Sequence, residues 1–350
     1  MLNRTQISIP TLVRVKPGAV GRVGIYARRN GFSEIVVLHS ADLQMDLMRQ
    51  LCDGLKAENV SVLQRWPIRE ASFEQARALF PQLPAKTRAI VGFGGGKALD
   101  VAKYVAFLTR LPYLAVPTSL SNDGFCSPQS SLTLEGKRKS LPSAMPFGVA
   151  LDTEVCVAAP EILWLAGVGD LVAKLTAVAD WKLAFNAVGT PVDDFAALLS
   201  DATVFQFIAR PQRDLEGVRL LGTSLMLNGI AMEVCGSSRP ASGSEHLISH
   251  ALDSLGGKPH MHGLQVGVAT YLVSLLQQRN AELIADLFAK TGFWRAVEQD
   301  PFRLADWEEA LRRAPSIKQD FYTVLASRDC LPEAMEHLRR DPYLRMCVVA

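Results

Sequence analysis

The sequence predicts an α/β protein built from a parallel-sheet domain over residues 1–158 and an all-helical domain over residues 159–350. Short β-rich runs alternate with segments of helical periodicity up to about residue 152. After Pro160, each successive segment carries helical periodicity. The alternation predicts an open parallel sheet with helices on both faces and a ligand at the carboxyl ends of its strands. At 350 residues, 49% of them hydrophobic, the chain is long enough for two domains that share a cleft.

The elements of the first domain follow in order. The predicted strands are 12–15, 34–39, 60–64, 88–92, 113–116 and 148–151. The predicted helices between them are 17–30, 42–58, 72–83 and 97–109. Between the last two strands the helical rhythm lapses, and two short runs at 132–134 and 137–141 predict a hairpin.

The second domain is predicted to be helical throughout, because apolar residues recur there at helical spacing. The predicted helices are 168–185, 192–209, 215–235, 243–255, 262–278, 281–291, 305–313 and 332–340. This part contains no repeat of fixed period and no low-complexity tract, so we expect it to pack closely against the first domain.

Composition and charge exclude several classes of partner. The chain has 37 Lys+Arg against 35 Asp+Glu and no basic block, so nucleic acid is not an expected partner. Uninterrupted apolar runs are short, so neither membrane insertion nor a signal peptide is expected, and we expect a cytoplasmic protein. Six scattered cysteines without a CxxC pair fit reduced thiols.

A glycine-rich turn is the first candidate site. Gly94, Gly95 and Gly96 lie between a predicted strand and a predicted helix, followed by Lys97 and Ala98. Backbone without Cβ can approach a diphosphate closely, and the N–H groups of a helix N-terminus favour its charge. The motif is neither GxGxxG nor a Walker loop, so a turn without ligand stays an alternative. The next such junction, residues 117–125, is dense in hydroxyl groups and reads equally well as a loop of turn formers.

Four of the six histidines fall within seventeen residues: His246, His250, His260 and His262. His246 and His250 share one helix face, and His262 begins the next predicted helix. Two of these histidines and a third ligand would make an open catalytic metal site, and Asp170, at a glycine-flanked helix start, is the best candidate. The alternative is that the histidines are exposed or satisfied in the core. His260 is the expected bystander.

Together these stretches resemble the iron-containing alcohol dehydrogenase and dehydroquinate synthase-like superfamily, and within it the sn-glycerol-1-phosphate dehydrogenase family. The most specific are GGGKALD at 94–100, PTSLSNDGFCSP at 117–128, GVGD at 167–170, SGSEHLISHALD at 242–253 and HGLQVG at 262–267. The SNDGF and SEHxxSH elements separate this family from glycerol dehydrogenases. The resemblance covers nearly the whole chain and implies an N-terminal Rossmann-like parallel-sheet domain followed by an all-α domain, the dehydroquinate synthase-like fold.

The resemblance also implies residue roles. The metal ligands are then Asp170, His246 and His262, while Asp123 and His250 face the substrate. The residues that would line NAD or NADP are Gly94, Gly95, Gly96, Lys97, Ala98, Thr118, Ser119, Leu120, Ser121 and Ser127. His39 ends the second predicted strand where an acid would favour NAD, so NADP stays open as well.

The implied reaction is metal-dependent, NAD(P)-linked interconversion of dihydroxyacetone phosphate and sn-glycerol 1-phosphate. One divalent metal is expected, zinc first, with nickel and iron as alternatives. The expected partner is a small phosphorylated three-carbon substrate, with Lys137, Arg138 and Lys139 as candidates for its phosphate or as a solvated basic turn. A homo-oligomer is the base-rate expectation.

Three other functions stay open. One is a dehydrogenase of glycerol or another small polyol. Another is a sugar-phosphate cyclase of the dehydroquinate synthase type, a family that carries Glu where this chain has Asp170. The third is a catalytically silent binding protein. Two positions depart from the resemblance: Leu264 stands where Glu is usual, and Cys126 where a small residue is expected, so a thiol beside the cofactor could make the enzyme sensitive to alkylation.

Overall fold

Residues 7–256, 258 and 260–350 are described by a computed structural model of the chain. The strands are β1 (Leu12–Lys16), β2 (Glu34–Ser40), β3 (Ser61–Ile68), β4 (Ala89–Gly94), β5 (Tyr113–Pro117), β6 (Gln129–Leu134), β7 (Lys137–Pro142), β8 (Gly148–Asp152), β9 (Phe302–Arg303) and β10 (Val348–Val349). Six of them form one sheet in the order β1-β8-β5-β4-β2-β3, and all pairs are parallel. The predicted open parallel sheet is therefore confirmed.

The strand order reverses between β2 and β4. From β2 the chain proceeds to β3 on one side, whereas β4 is followed by β5 and then β8 on the other. In open α/β sheets such a reversal leaves a crevice beyond the carboxyl ends of the two strands, where ligands bind. Ser40 ends β2 and Gly94 ends β4, so these two residues lie at that crevice.

The predicted hairpin is also confirmed. β6 and β7 pair in antiparallel register, with Leu134 opposite Lys137. The two residues that join them, Glu135 and Gly136, both have positive φ, 52° and 73°. Positive φ at both central positions is the geometry that two-residue hairpins favour.

The chain has sixteen α-helices among the described residues. They are α1 (Val23–Arg29), α2 (Met45–Ala57), α3 (Phe73–Leu79), α4 (Gly96–Thr109), α5 (Thr153–Ala158), α6 (Glu161–Val188), α7 (Asp194–Ile208), α8 (Leu215–Cys235), α9 (Ser244–Ser254), α10 (His262–Leu276), α11 (Ala281–Thr291), α12 (Phe293–Glu298), α13 (Leu304–Arg313), α14 (Val324–Ser327), α15 (Leu331–Arg340) and α16 (Leu344–Cys347).

The first helix differs from its prediction. The helix predicted over 17–30 is a 3₁₀ turn at Val20–Arg22 followed by α1. The side chain of Asp152 accepts hydrogen bonds from the backbone N–H groups of Gly18 and Val20, at 3.2 and 3.0 Å. These N–H groups bind a side chain at the end of β8. The regular α-helix therefore begins only at Val23, after the 3₁₀ turn.

The chain divides into two compact units. One comprises the described residues up to Pro160 together with Arg213–Glu233, and the other comprises Glu161–Gln212 and Val234–Ala350. These units differ from a division at residue 158 in that nearly all of α8 lies with the sheet. The predicted domain boundaries therefore stay a prediction.

In the first unit, aliphatic side chains of the sheet pack against the helices beside it. Val37 of β2 and Val91 of β4 share a fully buried core with Leu51 and Leu55 of α2. Burial of each such side chain stabilises the fold by about 1.5–3 kcal/mol. This core holds the ends of β2 and β4 in fixed positions.

The start of α6 corrects the prediction for Asp170. The helix begins at Glu161 rather than at residue 168, so Asp170 lies in its third turn and not at a helix start. A Cβ on Gly169 would overlap the carbonyl group of Gly263 in α10, and a Cβ on Gly263 would overlap that of Ala166. The glycines beside Asp170 thus allow two helices to cross closely, a role that local sequence does not distinguish from a helix boundary.

Helices α6 and α8 are long and apolar enough to cross a membrane by length and composition alone. Within their most apolar windows, 83% and 67% of the residues are buried inside the protein, as in the core helices of soluble proteins. A count of uninterrupted apolar runs misses both helices, because charged residues such as Asp170 and Lys174 interrupt α6.

Candidate metal and cofactor sites

The glycine-rich turn connects the end of β4 to the start of α4. Gly94 has φ +139°, a conformation that residues with a side chain rarely adopt, and a Cβ there would overlap Ser40 Oγ. Gly95 caps the helix, and its backbone N–H donates to Ser40 Oγ at 3.0 Å. A Cβ on Gly96 would meet open space. The turn thus presents the N-terminus of a 14-residue helix at the crevice between β2 and β4, where an anion is favoured.

The hydroxyl-rich loop after β5 lies beside this turn. Thr118 N–H donates to the carbonyl oxygen of Gly94 at 3.1 Å, and Ser119 Oγ is 4.0 Å from the Cβ position of Gly95. The structure therefore brings two of the predicted cofactor segments together. Leu120 differs from them, because its side chain is buried and packs beside Gly222 of α8, which leaves only its backbone to line a ligand. Ser121 is half-buried in the same loop.

A buried ion pair holds the next segment, the SNDGF stretch. Lys103 of α4 lies 3.5 Å from Asp100 Oδ1, and its Nζ donates to the carbonyl oxygen of Gly124 at 2.5 Å and to Ser127 Oγ at 3.3 Å. Burial lowers the pKa of Lys103, although Asp100 counteracts this effect. Asp123 is half-buried and begins the 3₁₀ turn Asp123–Cys126. Ser127 is already engaged inside the protein, and its predicted contact with a cofactor stays a prediction.

Cys126 is fully buried behind this turn. Its backbone carbonyl lies where a Cβ on Gly229 would be, so α8 packs directly against the segment. Burial raises the pKa of the Cys126 thiol far above its ordinary value. A protonated, inaccessible thiol is a poor nucleophile, so the structure gives no support to the expected sensitivity to alkylation.

Asp170, His246 and His262 lie together in the second unit. One ligand atom from each of the three side chains lies within 4.8 Å of the others. Asp170 Oδ1 lies 3.4 Å from His246 Nε2. Three helices supply the group: α6 carries Asp170, α9 carries His246, and α10 begins at His262.

His246 is oriented by the residue before it. His246 Nδ1 lies 2.8 Å from Oε1 of Glu245, a fully buried carboxylate. Because ionised carboxylates only accept hydrogen bonds, Nδ1 donates to Glu245, and Nε2 is directed at Asp170 Oδ1, to which it donates when the imidazole is protonated. Burial lowers the pKa of His246, but hydrogen bonds to Asp170 and Glu245 outweigh it and raise this pKa to about 9.

His262 has a neutral partner instead. Its Nδ1 lies 3.2 Å from Ser249 Oγ, and that hydroxyl donates to Gln265 Oε1 at 3.0 Å. Since the one hydroxyl proton goes to Gln265, Ser249 accepts from His262 Nδ1. Both histidines therefore use Nδ1 for support within the protein.

The charge of Asp170 is stabilised by its surroundings. Lys174, one helical turn further along α6 and fully buried, places Nζ 3.5 Å from Asp170 Oδ2. Burial raises the pKa of the Asp170 carboxyl, but Lys174, His246 and His262 together hold it well below its usual range. Asp170 is consequently ionised throughout the ordinary pH range.

His250 lies beside the cluster without belonging to it. Its side chain is exposed, and its ring centre is 6.0 Å from that of His262 and 6.4 Å from that of His246. The ring of His260 is tilted by 48° against that of Phe302, with 4.4 Å between the ring centres, and its Nδ1 lies 3.5 Å from Asp300 Oδ2. Its role as a bystander stays a prediction.

The donor set fits a divalent ion such as zinc. One carboxylate and two imidazoles are ligands that zinc, nickel and ferrous iron accept, at bond lengths near 2.0–2.2 Å for zinc. Asp170 and His246 are buried and His262 is half-buried, and ligand atoms within 4.8 Å of one another close to such distances with small side-chain movements. The support of both histidines through the second ring nitrogen is also typical of metal ligands.

Several residues of this site escape prediction from sequence: Glu245, Ser249, Gln265 and Lys174. Each of them lies within or next to a predicted motif, at a position where a structural role is the ordinary interpretation. A signal was present for Lys174, because a cation four residues after Asp170 shares its helix face. For Ser249 and Gln265 only the packing of α9 against α10 shows the contact.

The class of protein to which this fold belongs follows from comparison with known proteins. Residues 14–160 match the family model described as iron-containing alcohol dehydrogenase. The structure is similar to glycerol dehydrogenase from Schizosaccharomyces pombe, with TM-score 0.78 and 19% identity over 97% of this chain and 91% of that one. It is also similar to an iron-containing alcohol dehydrogenase from Thermotoga maritima, with TM-score 0.68 and 16% identity over 95% and 99%. The chain thus has the fold of the iron-containing alcohol dehydrogenases, as predicted.

Relatives found by sequence identify one family within this class. The chain is 33% identical to glycerol-1-phosphate dehydrogenase [NAD(P)+] of Methanothermobacter thermautotrophicus, over 96% of this chain and 97% of that protein. It is 34% identical to the enzyme of the same name from Aeropyrum pernix, over 96% and 97%. The chain belongs to the glycerol-1-phosphate dehydrogenase family.

Proposed function

We propose that the protein is a metal-dependent, NAD(P)-linked oxidoreductase that interconverts dihydroxyacetone phosphate and sn-glycerol 1-phosphate. The observation that carries the proposal is the cluster of Asp170, His246 and His262 in a chain whose relatives bear that enzyme's name. The reduction adds a hydride from the nicotinamide to the middle carbon of the substrate and one proton to its oxygen.

In the proposed site, Asp170, His246 and His262 hold the divalent ion. When bound, such an ion polarises the ketone oxygen and stabilises the negative charge that develops on it, an effect worth several kcal/mol. The protein keeps its three ligands ready for this task. Asp170 is held ionised, and both histidines have the Nδ1 proton directed into the protein.

His250 and Asp123 are proposed to face the substrate. His250 is exposed and lies one helical turn beyond His246 on α9. An imidazole in this position can orient the substrate or transfer a proton to its oxygen through water. Asp123 stands in the turn that Lys103 holds through Gly124, and this anchor fixes the backbone of the segment.

The cofactor is proposed to bind at the glycine-rich turn. Gly94, Gly95 and Gly96 supply a backbone without side chains at the N-terminus of α4, which suits a diphosphate, and Lys97 is exposed beside them. The loop of Thr118, Ser119, Leu120 and Ser121 lies alongside, and Ala98 and Ser127 complete the proposed lining. His39 at the end of β2 carries no negative charge, so both NAD and NADP are expected to bind.

Zinc is the proposed ion, with nickel and iron as alternatives for the same ligand set. A cytoplasmic location and a homo-oligomeric state stay predictions. The phosphorylated substrate also requires cationic or N–H donors, and Lys137, Arg138 and Lys139 of the hairpin stay candidates.

The proposal is tested by following NADH and NADPH oxidation with dihydroxyacetone phosphate. The full chain is stripped of metal with a chelator and reloaded with zinc, nickel or iron, and unphosphorylated dihydroxyacetone is assayed in parallel. We expect turnover that depends on metal, is specific to the phosphate and yields the sn-1 product.

The other outcomes assign the remaining functions. Turnover with dihydroxyacetone alone would make the protein a polyol dehydrogenase. Copurified NAD without net oxidation of external cofactor would indicate a sugar-phosphate cyclase. A chain that binds no divalent metal would contradict the proposed centre altogether.

A further inference from the structure

Glu245 is a buried carboxylate in the first turn of α9, next to the proposed metal ligand His246. Its side chain has no measurable exposure. Removing an ionised carboxylate from water costs several kcal/mol unless hydrogen bonds compensate. The two carboxylate oxygens of Glu245 therefore need hydrogen-bond donors inside the protein.

Three donors surround the carboxylate of Glu245. Oε1 accepts from His246 Nδ1 at 2.8 Å and from the backbone N–H of Gly243 at 2.5 Å, while Oε2 accepts from Thr176 Oγ1 of α6 at 2.9 Å. A Cβ on Gly243 would lie 2.9 Å from Glu245 Oε2, so glycine allows this close approach. The carboxylate is therefore fixed from two helices and from the loop before α9.

The two histidines of the cluster differ in the charge of their partners. His246 is hydrogen-bonded to a carboxylate, whereas His262 is hydrogen-bonded to the neutral Ser249 and Gln265 pair. A carboxylate behind an imidazole fixes its tautomer and ring orientation and makes the opposite nitrogen a stronger ligand. Glu245 thus makes His246 the stronger metal ligand of the two histidines.

We propose that Glu245 is the positioning residue of the metal centre. It holds the proton of His246 on Nδ1 and aims Nε2 at the position of the ion beside Asp170 Oδ1. This inference rests on the proposed function, since it requires that Asp170, His246 and His262 bind a divalent ion. It adds to that function the residue that sets the affinity of the site.

A simpler role for Glu245 would be to stabilise the start of α9, since a carboxylate at a helix N-terminus is favourable. Asp180 of α6 offers a matched control for that role. It is also buried, and its Oδ2 accepts from the backbone N–H of Ser244 at the same helix start, at 2.8 Å. Its described hydrogen bonds go to Ser244, Gln277 and Val324, none of them a histidine.

The test measures metal binding by the full chain rather than turnover. Zn²⁺ affinity is determined by competition with a chromophoric chelator for the wild type, Glu245→Gln and Asp180→Asn, and the visible absorption spectrum of each Co²⁺-loaded protein is recorded. We expect Glu245→Gln to lower Zn²⁺ affinity about ten- to a hundredfold and to change the Co²⁺ spectrum. Asp180→Asn should leave both unchanged.

The outcomes separate this inference from the proposed function. If the wild type binds no Zn²⁺, the metal centre and the inference both fail. If the wild type binds Zn²⁺ and Glu245→Gln matches it in affinity and spectrum, only the inference fails. An equal loss in Glu245→Gln and Asp180→Asn would also overturn it, because that result assigns both carboxylates to the start of α9.

A second variant covers the case in which Glu245→Gln does not fold. Glu245→Asp keeps the charge but withdraws it by one methylene group from His246 Nδ1. The same weakening of Zn²⁺ binding and change of Co²⁺ spectrum are expected from it. Wild-type affinity and spectrum in Glu245→Asp would overturn the inference.

Discussion

The two units of the molecule prepare their candidate sites in different ways. In the first, the glycine-rich turn offers backbone N–H groups at the start of α4, and its geometry depends on a positive φ at Gly94 and on Ser40. In the second, the Asp170 cluster offers charged and imidazole side chains from three helices, each supported by buried polar partners. A backbone site therefore depends on conformation, whereas a side-chain site depends on charge and on helix crossings.

The largest effect on activity is expected from a substitution within the cluster of Asp170, His246 and His262. Asp170→Asn removes the charged ligand, so the protein should lose bound metal and turnover should fall about a thousandfold or more, since several kcal/mol of stabilisation disappear. Metal content and NADH oxidation with dihydroxyacetone phosphate are measured together. Asp201→Asn on α7, whose carboxylate pairs with Lys182, is the control and should behave as the wild type. Retained metal in Asp170→Asn would show that this carboxylate is not a ligand.

A smaller effect is expected at His250, beside the cluster. His250→Ala should lower kcat about a hundredfold or more, the usual contribution of a proton-transfer group, and leave metal content intact. His260→Ala, which removes a histidine packed against Phe302, should leave kcat unchanged. Loss of metal from His250→Ala would mean that the roles of His250 and His246 are exchanged.

The backbone site is examined with alanine substitutions in the glycine-rich turn. Gly94→Ala places a Cβ at φ +139° against Ser40 Oγ, which should cost about 1–3 kcal/mol of stability. Gly96→Ala places its Cβ in open space in the first turn of α4 and should leave Tm unchanged or raise it slightly, since alanine favours a helix more than glycine does. Thermal unfolding of both variants without ligand measures this difference. Equal Tm values for the two variants would show that the turn does not require a glycine at position 94.

The smallest effect concerns pH and the buried charges of the second unit. Burial, and after it the neighbouring Glu245, raise the pKa of Asp180 from 3.8 to about 6. An acid with a raised pKa in the folded state binds its proton more tightly there, so its stabilisation is present at low pH and is lost as the pH rises from about 4 through 6.

Stability of the wild type relative to Asp180→Asn should therefore fall over this range, by on the order of 1 kcal/mol. Thermal unfolding of both proteins between pH 4.5 and 7 measures it. The hydrogen bonds that the substitution changes add an offset that does not vary with pH. A constant difference would contradict the raised pKa.

Much of the fold could be predicted because its signals are local. The alternation of strands and helices, the Glu135 and Gly136 turn and the run of three glycines each lie within one short segment. Short segments fix hydrophobic periodicity and backbone conformation, so the strands and the glycine-rich turn lie close to where the sequence predicts them. The histidine spacing on α9 likewise follows from 3.6 residues per turn.

Tertiary structure decided the rest. Local sequence cannot tell a glycine that starts a helix from one that lets two helices cross, so Asp170 was expected at a helix start and lies in the third turn of α6. The same holds for Glu245 and for the Ser249 and Gln265 pair, whose partners lie on other turns or other helices. The sequence determined which residues could bind a metal and a cofactor. Only the packing of α6, α9 and α10 decided which atoms face one another, because side-chain contacts between helices depend on crossings that no local pattern encodes.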